Sequence, residues 1–210
     1  MINGLEYKDD THEYFYQNAK KPSVTEILSR VGTQNISGYW NSASKVEFMS
    51  DDDAAYFGKE IHKIANYVVQ GVSFTVNEEI EPYVEAIKRA VKYLDKFKKY
   101  NFVADWKTSA TVQQSFLWQC AAYSILAKEN LFKATENFYV SEMPMYSSVF
   151  GFAGTPDVVW FPKQKSEFIT ACVLIKPDHP PVVHVRTSAE VKRDWNDFLS
   201  ILNTFKLLTK

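Results

Sequence analysis

"FVADWKTSATVQQSFLWQCAAY", running from Phe102 to Tyr123, is the stretch on which the reading of this chain turns. Its first part reads as a buried strand. Successive strand side chains point to opposite faces, so Phe102, Ala104 and Trp106 share one face and Val103, Asp105 and Lys107 the other. The polar "TSAT" that follows is a turn, and "VQQSFLWQCAAYSILAKE" has the composition of a helix. A carboxylate beside an ammonium on one sheet face has a chemical use. The acid can hold a divalent cation, and the lysine can orient a water or offset charge developing on phosphate. A triplet of this kind arises by chance roughly once in a chain of this size, so it decides nothing alone. Metal-assisted phosphodiester cleavage also needs a second fixed carboxylate, and the preceding "KRAVKYLDKFKKY" reads as a helix end rather than a strand that would supply one.

Outward from that stretch, the chain alternates helical and extended segments. Residues 1–20 read as a hairpin, with "GLEY" and "EYFY" flanking a polar turn. "KPSVTEILSRV" is a short helix with Ser23 or Thr25 as its N-terminal signal, and "GTQNISGYWNSAS" reads as a loop. After "SDDDAA", Phe57, Ile61, Ile64, Ala65 and Val68 recur at helical spacing until Gly71. A second helix is expected from about Glu78 to Tyr100. "ENFYVSEMPMYSS" and "FGFAGTPDVVWF" read as two strands joined by a tight connection, and "KQKSE" as a turn. "FITACVLIKP" is a further strand, and "PPVVHVRT" a short one that its prolines place at a sheet edge. Val191, Trp195, Phe198, Leu202 and Phe205 form the stripe of a last helix from Ala189 to about Leu208. Helices flanking a small mixed sheet is the coarse architecture.

Bulk properties narrow the class. A chain of 210 residues with 46% hydrophobic and 23% charged residues is expected to be one globular domain. It divides into a hairpin and helix at 1–50, a core at 51–188 and a closing helix at 189–210. No apolar run is long enough to span a membrane. "MINGLEYKDD" lacks the features of a signal peptide, so a cytoplasmic location is expected, in a bacterial or phage-infected cell. Cys120 and Cys172 cannot by themselves supply an iron–sulfur or four-ligand zinc site. The net charge of −1 does not announce a nucleic-acid partner, but Lys88, Arg89, Lys92, Lys96, Lys98 and Lys99 crowd one helix end where phosphates could be met. The 15% aromatic content leaves rings for stacking on bases.

Three further features bear on chemistry. In "GFAGTPDVVW", Gly151, Ala153, Thr155 and Asp157 share a face if the strand is continuous, which leaves open space beside Asp157. In "GKEIH", Gly58 and His62 lie one turn apart on one helix face. The glycine removes bulk beside the imidazole, a common ligand of ions such as manganese. Gln119 and Tyr123 form an i, i+4 pair on the helix after the Asp105 strand, able to bind a phosphate or a base edge.

Taken together, the glycine–histidine helix, "AGTPD", "ADWKTS" and the Gln119–Tyr123 pair resemble the RecB-type branch of the PD-(D/E)XK nuclease superfamily. "PSVTEIL" is similar to a segment in relatives of the mitochondrial genome maintenance exonuclease and in phage exonucleases of that type. The likeness spans about Pro22 to Trp160. It implies an α/β (α+β) fold with a restriction-endonuclease-like core, a central mixed β-sheet flanked by helices. It implies that His62, Asp157 and Asp105 bind the catalytic Mg²⁺ or Mn²⁺, and that Lys107 positions water and stabilises the transition state. Gln119 and Tyr123 would be the accessory motif, and Glu142 matches an acid often present on the first strand. Ser23 and Thr25 would contact the nucleic acid, Lys88, Lys92 and Lys96 its phosphates, and Tyr14, Phe15, Tyr16 and Tyr39 its bases. The iron–sulfur cysteines of some relatives have no counterpart. The activity implied is that of a metal-dependent deoxyribonuclease, an exonuclease on single-stranded or end-frayed DNA. A nucleic-acid-binding module with a degenerate site and a structure-specific endonuclease are the alternatives.

The chain departs from the family in order. There the "GTPD" strand precedes the "DWK" strand; here it follows about fifty residues later, as if the blocks 101–135 and 136–165 had changed places. If the family sheet survives this altered connectivity, "KQKSE" must step from the Asp157 strand past the Asp105 strand to "FITACVLI". Neighbouring strands lie about 4.8 Å apart, so so short a linker can cross one intervening strand. A domain-swapped assembly or a different strand order are the other solutions.

Overall fold

The structure, a computed structural model, describes residues 4–35, 51–109, 111–131, 138–162, 168–177 and 179–209. Its elements in chain order are β1 (Leu5–Lys8), β2 (Glu13–Tyr16), β3 (Ala19–Lys21), α1 (Val24–Asn35), α2 (Asp51–Gln70), α3 (Glu81–Leu94), β4 (Asn101–Lys107), α4 (Gln114–Leu131), β5 (Phe138–Ser141), β6 (Met145–Ser147), β7 (Phe152–Gly154), β8 (Val158–Phe161), β9 (Phe168–Leu174), β10 (Val182–Arg186) and α5 (Ser188–Leu208). The class is mixed α/β, with a central sheet flanked by helices, as the sequence implies. No helix among the described residues is long and apolar enough to cross a membrane.

The central sheet has the order β10-β9-β4-β8-β5. β4 pairs parallel with β9 and antiparallel with β8, so the Asp105 strand lies between two strands that follow one another in sequence. Asn101 opens β4 opposite Phe168, and Phe102 faces Trp160. The end of β8 and the start of β9 therefore flank the same end of β4. This is the step across one strand that the altered block order requires, made within a single chain. The edge position expected for "PPVVHVRT" holds for β10.

The alternation read in β4 decides the layers. Phe102, Ala104 and Trp106 pack with Ile61, Ile64, Ala65, Val84, Ile87 and Ala90 of α2 and α3. Val103 looks the other way, into a core built with α1, α4 and α5, where Ile27, Leu126, Phe198 and Leu202 meet Val159 and Phe168. The N-terminal helix thus belongs to the main core. Ser23 caps it, its Oγ accepting the Glu26 amide at 3.0 Å. Cys120 and Cys172 are buried free thiols packed against Leu117 and Leu174.

Several local expectations are corrected. The hairpin at the N-terminus gains a third strand, β3, in the order β1-β2-β3. α1 runs on through "GTQN" to residue 35, while Tyr39 and the remainder of that segment, like "KQKSE", lie outside the described residues. The helix expected to reach Tyr100 stops at Leu94, and a 3₁₀ turn, Asp95–Phe97, leads into β4. The two long strands after α4 are each broken. β5 pairs with β8 in the central sheet, whereas β6 pairs with β7 in a separate two-stranded sheet. Ser141 faces Val158 and Met145 faces Gly154, so residues 142–144 and 155–157 interrupt the two arms at the same level. Each interruption contains a proline, Pro144 or Pro156, which cannot donate to a ladder.

Gly151 has open space beside it, but the small residues nearer Asp157 do not. The room beside Ala153 is filled by Tyr14 and Tyr146, and Gly154 receives the Tyr123 ring. A Cβ on Gly154 would stand 2.6 Å from Tyr123 Cε1 and 3.2 Å from Leu126 Cδ1. At Gly58 a Cβ would lie 3.9 Å from Thr108 Oγ1, an ordinary contact. Gly154→Ala should therefore cost about 1–3 kcal/mol through overpacking. Gly58→Ala, inside α2, should gain about 0.5–1 kcal/mol from helix propensity. Urea unfolding of the two variants measures both, and equal effects would contradict the packing at Gly154.

Candidate metal centre

The end of β4 is where the chemically useful side chains gather, and the two strand breaks bring them there. Asp157 stands just before β8, beside the last residues of β4. Its Oδ2 accepts the Trp106 backbone N–H at 2.6 Å, and its Oδ1 lies 3.1 Å from His62 Nδ1. Glu142 stands in the opposite break with a left-handed backbone, φ 54°, a conformation that non-glycine residues adopt at a cost. The break is tied to its partner by two bonds to the Asp157 carbonyl, from the Glu142 N–H at 3.3 Å and from Ser141 Oγ at 2.7 Å. α2 brings His62 over the same point, anchored by Ile61, Ile64 and Ala65 in the core below it.

His62, Glu142 and Asp157 each offer a ligand atom within 4.8 Å of the other two, so this group could hold a metal ion. One imidazole nitrogen and two carboxylates are the donors of such a site. Of the ligands expected from sequence, His62 and Asp157 are members and Asp105 is not. Glu142, assigned an accessory place, completes the three. Asp105 sits alongside, 1% exposed, with its Oδ2 2.7 Å from Lys107 Nζ. That contact is a buried charge pair between neighbours on one face of β4.

The charges are interdependent. Burial works against a charged His62, but Asp157 beside it prevails and raises its pKa to about 9. Burial, followed by repulsion from Asp157, lifts Glu142 to about 8. Burial is also the largest influence on Asp105, opposed by Lys107, and leaves it at about 6. Asp157 is held below its usual range despite burial, because His62, Lys107 and the Trp106 amide all favour the anion. Lys107 stays protonated above its ordinary range, since Asp105 and Asp157 outweigh its desolvation. At neutral pH the five groups then carry two cations, His62 and Lys107, two anions, Asp105 and Asp157, and a neutral Glu142.

The other expected residues fall elsewhere. Gln119 and Tyr123 are buried and bonded to each other, Gln119 Nε2 donating to Tyr123 Oη at 2.8 Å, with the tyrosine ring against Gly154. Ser23 is engaged as the cap of α1, and Thr25, exposed beside it, shares a 3.0 Å hydrogen bond with its Oγ. Tyr14, expected to be an exposed stacking ring, is 1% exposed and faces inward, because the buried face of β2 packs on Ala153. Tyr16 stacks on Tyr146 and Phe15 carries Lys8 over its ring. Lys88 pairs with Glu85 at 2.7 Å, and Lys96 lies 3.2 Å from the centroid of Tyr93. Lys92 and Lys96 stand where the chain enters β4, whereas the metal ligands stand where β4 ends, roughly 20 Å away at about 3.3 Å per strand residue. Sequence reasoning undervalued Glu142. Pro144 two residues on was the available signal that its strand breaks there.

Comparison of the chain with protein-family models and with curated proteins finds no match.

A metal ligand must shed its proton to bind, so a divalent ion competes with protons on His62 and Glu142. Mn²⁺ affinity should rise from pH 7 to pH 9 as these two groups approach and pass their pKa values of about 9 and about 8, then level off. Binding near pH 7 should release close to two protons, one from each group. Calorimetry in buffers of different ionisation enthalpy measures this, and a pH-independent affinity would contradict the arrangement.

Proposed function

We propose that this chain is a divalent-metal-dependent deoxyribonuclease of the RecB-type PD-(D/E)XK kind. It would be an exonuclease that hydrolyses phosphodiester bonds of single-stranded or end-frayed DNA. One observation carries the reading: His62, Glu142 and Asp157 converge beside the Asp105–Lys107 pair, although they come from α2, two separate strand breaks and β4. Of the motifs that resemble the family in sequence, those of His62, Asp157 and the Asp105–Lys107 pair lie together, despite their altered order along the chain.

His62, Glu142 and Asp157 would hold the ion, Mg²⁺ or Mn²⁺. Asp105, buried beside them and paired with Lys107, stands outside that group of three. Oxygen donors suit either ion, and the imidazole favours manganese. When bound, such an ion supplies Lewis-acid polarisation of a phosphoryl oxygen and a more acidic water. Lys107 keeps its proton at Nζ and so presents a positive charge toward an incoming phosphate. Asp105 orients that ammonium by pairing with it, and losing either partner would leave an uncompensated buried charge. Lys92 and Lys96, where the chain enters β4, would meet phosphates distant from the scissile bond, and Lys88 others along α3.

Purified protein with Mn²⁺ or Mg²⁺ should shorten end-labelled single-stranded DNA, EDTA should stop it, and circular single strands should resist. Asp157→Asn and Lys107→Ala should each lower the rate by about 100-fold or more. Salt-sensitive DNA binding without any metal-dependent cleavage would instead identify a binding module, and cleavage of circles an endonuclease.

A further inference from the structure

The N-terminal sheet packs on the β6–β7 sheet, and that contact bears on the metal ligands. Tyr14 of β2 shares a 2.8 Å buried hydrogen bond with Thr155 Oγ1, across 141 residues of sequence. Tyr16 stacks on Tyr146 of β6 with centroids 4.4 Å apart. The Ala153 N–H, in β7, donates to the Pro22 carbonyl at 2.9 Å. These contacts all fall on the β6–β7 sheet and on the break that ends in Asp157. Within that break, Thr155 and Pro156 lie outside both ladders, and Pro156 has no N–H to bond. Asp157 is held downstream by Trp106, His62 and Ser141. Upstream, the α4 side is closed by the Tyr123 ring against Gly154, and the β2 side by the hydroxyl of Tyr14.

We propose that Tyr14 is a positioning residue for the metal-binding group, its hydroxyl fixing Thr155 so that Asp157 leaves the break aimed at His62 and the Trp106 amide. This rests on the reading of His62, Glu142 and Asp157 as a metal site, but not on the reaction. Phenylalanine would fill the same space, so what the hydroxyl adds is the bond to Thr155. Tyr14 is not one of the three residues whose ligand atoms converge; it acts through Thr155. Removing a partner that orients a metal ligand weakens affinity by about 10-fold or more.

The test is Mn²⁺ binding by isothermal titration calorimetry on the full chain, with melting temperature recorded for every variant. Tyr14→Phe and Thr155→Val should each weaken binding about 10-fold. The double variant should be no weaker than either single one, and Thr155→Ser, which keeps the hydroxyl, should bind like wild type. A lower melting temperature with unchanged Mn²⁺ affinity in Tyr14→Phe would assign the tyrosine to stability alone and overturn the proposal. Additive losses in the double variant would also overturn it, as would a wild type that binds no Mn²⁺. If the variants follow the expected pattern but wild type cleaves no DNA, the nuclease reading falls and this one stands. If Tyr14→Phe binds as wild type while wild type cleaves, the reverse holds.

Discussion

The carboxylate of Asp157 is the point on which the arrangement depends. One oxygen takes a backbone N–H from β4 and the other faces an imidazole on α2, so a single side chain joins the central sheet to the helix above it. A buried anion is tolerable only when its lone pairs are satisfied by charged or strongly polar partners, and such bonds are stronger than neutral ones. The hydrogen bond from Trp106 also replaces the ladder bond that β8 does not make there, since the strand begins one residue later. The same group therefore ends a strand, closes a layer and offers a ligand atom. It favours the charged form of His62 in the metal-free protein, and it adds to the burial that favours the protonated form of Glu142.

Charge balance across the five groups has a simple form. Lys107 offsets Asp105, and His62 offsets Asp157, while burial and the neighbouring Asp157 keep the proton on Glu142. A divalent ion would take the place of two protons and leave the total unchanged. The enclosed end of β4 can thus exchange between two electrically equivalent occupancies, where a site with ionised carboxylates alone would carry a standing repulsion.

Much of this was legible in the sequence, and the exceptions have physical causes. The alternation of β4 assigned Phe102, Ala104 and Trp106 to one layer and Val103 to the other, because a seven-residue strand gives period two room to show. The apolar spacing of α2 located His62 on its face. The strand breaks were not legible. "VVW" after Asp157 favours extended backbone whether or not the chain changes sheets there, and only the matching interruption at Glu142–Pro144 makes the break cooperative. Tyr14 was misread because four residues of "EYFY" alternate without saying which face is covered; the cover comes from residues 146–155. The end of α3 was overrun because "DKFKKY" has adequate helix propensity, whereas the chain must turn there to enter β4. The order of strands, by contrast, followed from asking which neighbours the acids require, since a sheet needs adjacency in space and not along the chain.

The bonds that assemble this region link residues 51, 95 and 141 positions apart: Trp106 with Asp157, His62 with Asp157, and Tyr14 with Thr155. Contacts between such distant parts of a chain carry a large loop-closure entropy and tend to form after local ones. The helices and the β5–β8 hairpin can form early from near neighbours, but the ligand group needs His62, Trp106 and Asp157 brought together across long loops. During synthesis the chain would spend much of its folding time without a competent site, since His62 must wait for Asp157 to be made.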